Sequence, residues 1–127
     1  MRYLLDTNIL SKQDSYAKAR NWIVQHYLQI AISSITIVEL AAGIESLPQG
    51  KRRRVLEGFL SELMEDHPVL PFGLPEATAW GKYIASARRP LPRYDSLIAA
   101  TAIANNLELV TENVSDFPGV ETINPMQ

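Results

Sequence analysis

Apolar and polar positions alternate along this chain in blocks that predict a strand–helix–strand order. Tyr3-Leu4-Leu5 is a short apolar run, and residues 2–5 read as a first strand buried on both faces. The run ends in Asp6, and Thr7 and Asn8 supply short polar side chains suited to a helix start, so a short helix is expected over residues 8–12. Asp14 and Ser15 precede a longer helical pattern in which Ala19, Trp22, Ile23, Tyr27 and Leu28 recur at three- and four-residue steps. Ile30-Ala31-Ile32-Ser33 reads as the second strand, Ser34 as the cap of a helix over 35–47, and Pro48-Gln49-Gly50 as its breaker. Lys51-Arg52-Arg53-Arg54 opens a further helix carrying Val55, Leu56, Phe59, Leu60, Leu63 and Met64.

Val69-Leu70-Pro71-Phe72 follows as a third strand, placed at a sheet edge by its proline. Pro75 and Glu76 suit the first turn of a helix that is expected to reach Arg89, where Pro90 and Pro92 stop it. Asp95 then opens an alanine-rich helix closed by Asn105-Asn106. Leu107 to Thr111 is the fourth strand, residues 111–117 are a polar turn, and residues 119–123 are a last strand. The alternation predicts one α/β domain over 1–127, with a central parallel sheet of four or five strands and helices on both faces.

Composition narrows the function classes. The chain has 127 residues, 46% hydrophobic and 20% charged, as in an ordinary globular domain with one core. With no cysteine, disulfides and thiolate metal sites are excluded. No apolar run reaches the length of a membrane span and no signal peptide opens the chain, so a cytoplasmic protein with no membrane partner is expected. The net charge of −2 gives no bulk attraction for a polyanion, so any nucleic-acid contact must be local or carried by cations.

Four acids occupy comparable places in this layout. Asp6 follows the first strand, Glu39 sits on the helix after the second, Asp95 opens the alanine-rich helix, and Asp116 lies in the turn after the fourth strand. Right-handed crossovers bring the carboxyl ends of parallel strands to one edge, where ligands bind. Carboxylates clustered there raise one another's pKa or recruit cations, and hard oxygen donors suit Mg²⁺ or Mn²⁺. Such an ion binds a phosphate oxygen and lowers the pKa of a water, which fits hydrolysis of a phosphodiester without a side-chain nucleophile. Singly, Asp6 and Asp95 read equally as helix caps, Glu39 as a surface residue and Asp116 as a turn former. A dehalogenase-like phosphatase needs a second Asp where this chain has Asn8, a receiver domain needs an acidic pair and a central Asp, and a phosphate-binding glycine loop is missing. His26 and His67 lack metal-ligand spacing and read as packed or surface residues.

The stretches Leu4-Leu5-Asp6-Thr7-Asn8-Ile9-Leu10, Ile32 to Leu40, Asp95 to Ala102 and Leu109 to Phe117, in this order and spacing, resemble the PIN-domain ribonucleases, specifically the VapC-type toxins of bacterial toxin–antitoxin pairs. The closing Ile123-Asn124-Pro125 is similar to chain ends in a subgroup of them. The resemblance implies a Mg²⁺- or Mn²⁺-dependent endoribonuclease that hydrolyses RNA with metal-activated water. It puts Asp6, Glu39 and Asp95 at the family's first three acidic positions. For the fourth, Asp116 is favoured over Asn113, which stands where some members carry Asp and can offer a carbonyl oxygen without charge. Thr7, Thr111 and Asn113 would orient the carboxylates from behind. Where the family usually has a basic or neutral residue, this chain has Glu112. The resemblance further implies a homodimer and a VapB-type antitoxin whose tail fills the acidic groove. Lys51, Arg52, Arg53, Arg54, Arg88, Arg89 and Arg93 are candidates for RNA backbone contact, with a solvated face as the plain alternative for the first four. A nuclease-dead PIN-type RNA-binding or regulatory module is the competing reading.

Overall fold

The computed structural model describes residues 1–12 and 17–127. Asp14 and Ser15, read as leading into a helix, lie outside the described residues. Five parallel strands form one sheet in the order β3-β2-β1-β4-β5, with β1 at Tyr3–Leu5, β2 at Ile30–Ser33, β3 at Val69–Leu70, β4 at Glu108–Val110 and β5 at Thr122–Ile123. The proline-flanked β3 is an edge strand, as expected. The helices are α1 (Thr7–Lys12), α2 (Ala17–Gln25), α3 (Ser34–Glu45), α4 (Lys51–Asp66), α5 (Leu74–Ser86) and α6 (Arg93–Ala104).

Strand side chains alternate between faces, so each face has its own core. Tyr3, Leu5, Ile30, Ile32 and Val110 pack against Ile9 and Leu10 of α1, Ile23 of α2 and Leu63 of α4. Leu4, Ala31 and Leu109 point the other way and meet Ile98, Ala99 and Ala102 of α6 and Tyr83 of α5. Alanine on α6 allows close approach to the sheet, and Ala99, Ala100 and Ala102 are fully buried. Asn106 ends this segment with φ 54°, the left-handed conformation that Asn tolerates.

Several boundaries differ from the sequence reading. Ser33, not Ser34, caps α3: Ser33 has extended backbone angles, and its Oγ accepts a hydrogen bond from the Ile35 N–H at 3.0 Å. Helix α5 stops at Ser86 rather than Arg89: Ala87 already takes extended angles, φ −71° and ψ 139°, and Pro90 lacks the N–H that would bond the Ser86 carbonyl in a continued helix. Helix α6 begins at Arg93, so Asp95 lies within its first turn. Leu28 leaves the apolar stripe because α2 ends at Gln25 and a 3₁₀ turn at Tyr27–Gln29 swings it into solvent, 95% exposed.

The topology locates the site. From central β1 the chain steps to β2 and β3, then crosses to β4 on the other side. The crevice beyond the carboxyl ends of β1 and β4 is therefore a topological switch point, where open α/β sheets bind ligands. Leu5 is in register with Val110, so Asp6 and Thr111 emerge side by side at this crevice.

Candidate active site

Asp6 is fastened to the sheet and to the next helix at once. Its N–H donates to the Val110 carbonyl at 2.9 Å, and its own carbonyl accepts the Ile9 N–H at 3.1 Å as α1 begins. The side chain is only 2% exposed. Thr111 donates its hydroxyl to Asp6 Oδ2 at 2.9 Å, and the Asn113 N–H donates to that hydroxyl oxygen at 3.0 Å. Asn113 thus acts through its backbone in holding Thr111.

Glu39 is held from α1. Thr7 donates its hydroxyl to Glu39 Oε1 at 2.8 Å. The Thr36 hydroxyl lies 3.2 Å from that of Thr7 and is fully buried. A hydroxyl has one proton, so with that of Thr7 on Glu39, Thr36 supplies the donor to Thr7. Thr36 and Glu39 are three residues apart and share a helix face, which turns the carboxylate inward. Thr36 was not singled out in the sequence, although this spacing carries the signal.

Asp95 and Asp116 complete the group. Asp116 closes a 3₁₀ turn, Val114–Asp116, whose N–H donates to the Asn113 carbonyl at 2.9 Å. Electrostatic influence ties all four acids together. Burial, against the Thr111 hydrogen bond, pushes the Asp6 carboxyl up to about 6, and the charges of Asp95 and Glu39 push the same way. Burial raises Glu39 above the usual carboxylate range, opposed by the Thr7 hydrogen bond and assisted by Asp95. Burial raises Asp95 as well, with Asp116 adding to it. Among the described residues, no lysine or arginine forms an ion pair with any of the four.

The donor set is all oxygen, which suits a hard divalent cation. Among the described residues, no three carboxylate, histidine or cysteine side chains close into one ready-made metal cage. Mg²⁺ does not need one, since it commonly takes one or two carboxylates directly and keeps several waters. The four acids are oxygen donors of the kind such an ion takes.

The basic candidates separate into groups. Arg53 is engaged within the fold: it bonds Glu45 Oε2 at 2.8 Å and the Leu47 carbonyl at 3.1 Å, lies 3.8 Å from Glu57, and its side chain is 13% exposed. Lys51, Arg52 and Arg54 are exposed on the first turn of α4. Arg89 donates to the Ser115 carbonyl at 2.7 Å, beside Asp116, while Arg88 and Arg93 are exposed nearby. His26 stacks on Trp22 and His67 is buried at the end of α4, so both are packing residues.

The PIN domain family model matches residues 3–120. The VapC ribonuclease Y4jK of Sinorhizobium fredii is 31% identical, across 98% of this chain and 97% of that protein. The tRNA(fMet)-specific endonuclease VapC of Salmonella typhimurium is 33% identical, across 94% and 95%. Among solved structures, the DNA-bound VapBC of Salmonella typhimurium superposes with a TM-score of 0.81 at 30% identity, covering 98% of both chains. With the acids of the resembling motifs gathered at one sheet edge and the family match spanning nearly the whole length, the chain belongs to the PIN domain family, among its VapC-type ribonucleases.

Proposed function

We propose that this chain is the endoribonuclease toxin of a VapBC-type pair, hydrolysing RNA phosphodiester bonds with water as the nucleophile and Mg²⁺ or Mn²⁺ as cofactor, in the cytoplasm. The observation that carries the reading is the convergence of Asp6, Glu39 and Asp95, each with its pKa raised by burial and by a neighbouring acid, at the carboxyl ends of β1 and β4. Uncompensated negative charge in a partly buried hollow favours a cation. A bound divalent ion supplies positive charge for a phosphate oxygen and acidifies a water. Asp6 and Asp95 are its main protein ligands. Glu39 completes the site or orients the attacking water, with Thr7 fixing the carboxylate that does so. Asp116 supports a second ion or the water network. Lys51, Arg52, Arg54, Arg88 and Arg93 supply positive charge for the RNA backbone.

An antitoxin partner has a surface to use. Leu5, Leu10, Ile23, Phe59 and Leu63 give a groove of about 250 Å³ between α1, α2 and α4 its apolar lining, with Tyr27, Glu62, Asp66 and His67 as its polar part. An amphipathic helix seats its apolar face in such a groove, and a guanidinium extended from it would pair with the acids. The protein acts as a homodimer when free, which size-exclusion chromatography with and without the antitoxin tests.

The decisive assay is cleavage of total cellular RNA with Mg²⁺ or Mn²⁺, comparing wild type with Asp95→Asn. Loss of an outer supporting group costs about 10–100-fold, so loss of a direct ligand is expected to cost at least about 100-fold. Equal rates in the two proteins contradict the assignment. Inactivity of both, with RNA binding intact, favours the nuclease-dead module.

A further inference from the structure

The turn of α6 that carries Asp95 also helps to build a cavity lined by none of the four acids. It measures about 250 Å³ and opens between the carboxyl-terminal half of α5, the loop over residues 87–92 and the first turn of α6. Trp80, Ile84 and Leu91 give it apolar walls, Arg89 and Arg93 give it cationic ones, and Ser96 lies at its base. No acidic residue lines it.

The walls are pinned to the turn that carries Asp95. The Trp80 indole N–H donates to Ser96 Oγ at 2.9 Å, and the Ser96 hydroxyl donates to the Arg93 carbonyl at 2.7 Å. Asp95 stands between Arg93 and Ser96 in sequence, so cavity and acids share one helical turn. The far rim is tied as well, through the Arg89 bond to the Ser115 carbonyl, one residue before Asp116. Pro90 and Pro92 restrict the loop between them. Among the described residues, neither Arg88 nor Arg93 forms an ion pair, so this rim carries local positive charge in a chain of net charge −2.

These features select the occupant. A bare phosphate would use the arginines and leave Trp80, Ile84 and Leu91 idle. An apolar side chain of a partner would use those three and leave the arginines unanswered. A flat, uncharged ring attached to a phosphate uses both, because bases stack on aromatic side chains and on guanidinium planes while their backbone pairs with cations. We infer that this cavity is a base-recognition pocket, taking one unpaired nucleobase of the RNA strand next to the phosphate held at Asp6 and Asp95. The inference rests on the nuclease reading of the acidic hollow. It makes Leu91 and Arg93 specificity-determining residues, outside the catalytic group.

The test is an abasic walk. A cleaved single-stranded RNA is remade with one base at a time removed on either side of the cut. In wild type, one flanking position is expected to lower kcat/KM by about tenfold, the scale of one base–aromatic stack. Leu91→Trp, which fills the cavity, should lower kcat/KM on the intact strand by a similar factor and leave the rate on that abasic strand unchanged. Arg93→Gln, at an exposed position, should weaken the same base dependence, and a melting curve of each variant checks folding. If the Leu91→Trp and abasic losses simply multiply, or if no flanking base matters, the pocket is overturned. A Leu91→Trp protein that keeps its base dependence but changes its elution volume would overturn it in favour of a protein interface.

A second arm does not depend on cleavage. Single-stranded RNA carrying 2-aminopurine is mixed with wild type and with Leu91→Trp in EDTA. A fluorescence change in wild type that Leu91→Trp abolishes supports the pocket even if no substrate is cut, which isolates a failure of the nuclease reading. The same change in both proteins overturns the pocket while leaving the acidic hollow to its own test.

Discussion

Strand β1 ends in two opposite environments. At its amino-terminal edge, Arg2 pairs with Glu108 at 3.4 Å and its guanidinium lies 5.1 Å from the centre of the Tyr3 ring. Tyr3 meets Trp22 edge-on at 4.8 Å, and Trp22 stacks on His26 at 4.1 Å. The His26 Nδ1 lies 2.8 Å from the Trp22 carbonyl oxygen. Charge there is matched by opposite charge or by an aromatic face. At the carboxyl-terminal edge, three residues further on, Asp6 is buried beside Asp95 and Glu39 with hydroxyls for support and, among the described residues, no cation paired to it. One strand thus carries ordinary stabilising contacts at one end and concentrated like charge at the other. The second arrangement costs stability, and an ion from solution is what would offset it.

The comparison can be broken in three places. The largest effect is expected from Thr111→Val, which removes the hydroxyl donor to Asp6 while keeping the side chain's shape. Divalent-ion affinity should fall about 10–100-fold, read by calorimetric titration with Mn²⁺. Unchanged affinity would mean that Thr111 only packs. A middle-sized effect is expected from pH. The folded state holds the Asp6 proton up to about 6, against 3.8 for a solvent-exposed Asp as in the unfolded chain, so it binds more protons than the unfolded chain in this window. Stability therefore falls as pH rises from about 4 to about 6, by on the order of 2 kcal/mol from this group. Urea unfolding of wild type and Asp6→Asn in EDTA at both ends of the window isolates that contribution, and parallel pH profiles would refute it. The smallest effect belongs to the other edge. Arg2→Gln should cost about 0.2–1 kcal/mol, as exposed pairs do, with RNA cleavage unaltered. A loss of cleavage would show that the two ends are coupled.

Much of this architecture was legible because its signals are local and redundant. An apolar run cut off by Asp6 announces both the strand and the crevice residue, and Pro71 marks the edge strand. A parallel sheet of four or five strands follows from strand–helix alternation, and the fold has five. What escaped depends on backbone angles or on distant partners. Two adjacent serines do not disclose which has the extended angles of a cap, so Ser34 was expected where Ser33 serves. A run of four cations reads as one patch, yet Arg53 is drawn inward by Glu45, Glu57 and the Leu47 carbonyl. The spacing of Thr36 and Glu39 gives their shared face, but the hydroxyl that holds the Glu39 carboxylate comes from Thr7 on another helix. The Arg89 tie to the Ser115 carbonyl spans 26 residues, so its guanidinium reads as free in the sequence.

The central claim, that acids remote in sequence form one cation-accepting hollow, is tested most directly by thermal melting of wild type and Asp6→Asn, each in EDTA and in Mn²⁺ at neutral pH. Relief of repulsion should give Asp6→Asn the higher Tm in EDTA, and Mn²⁺ should raise the Tm of wild type while leaving the variant almost unmoved. A wild type indifferent to Mn²⁺, or a variant that melts lower in EDTA yet still responds to the ion, would contradict the account.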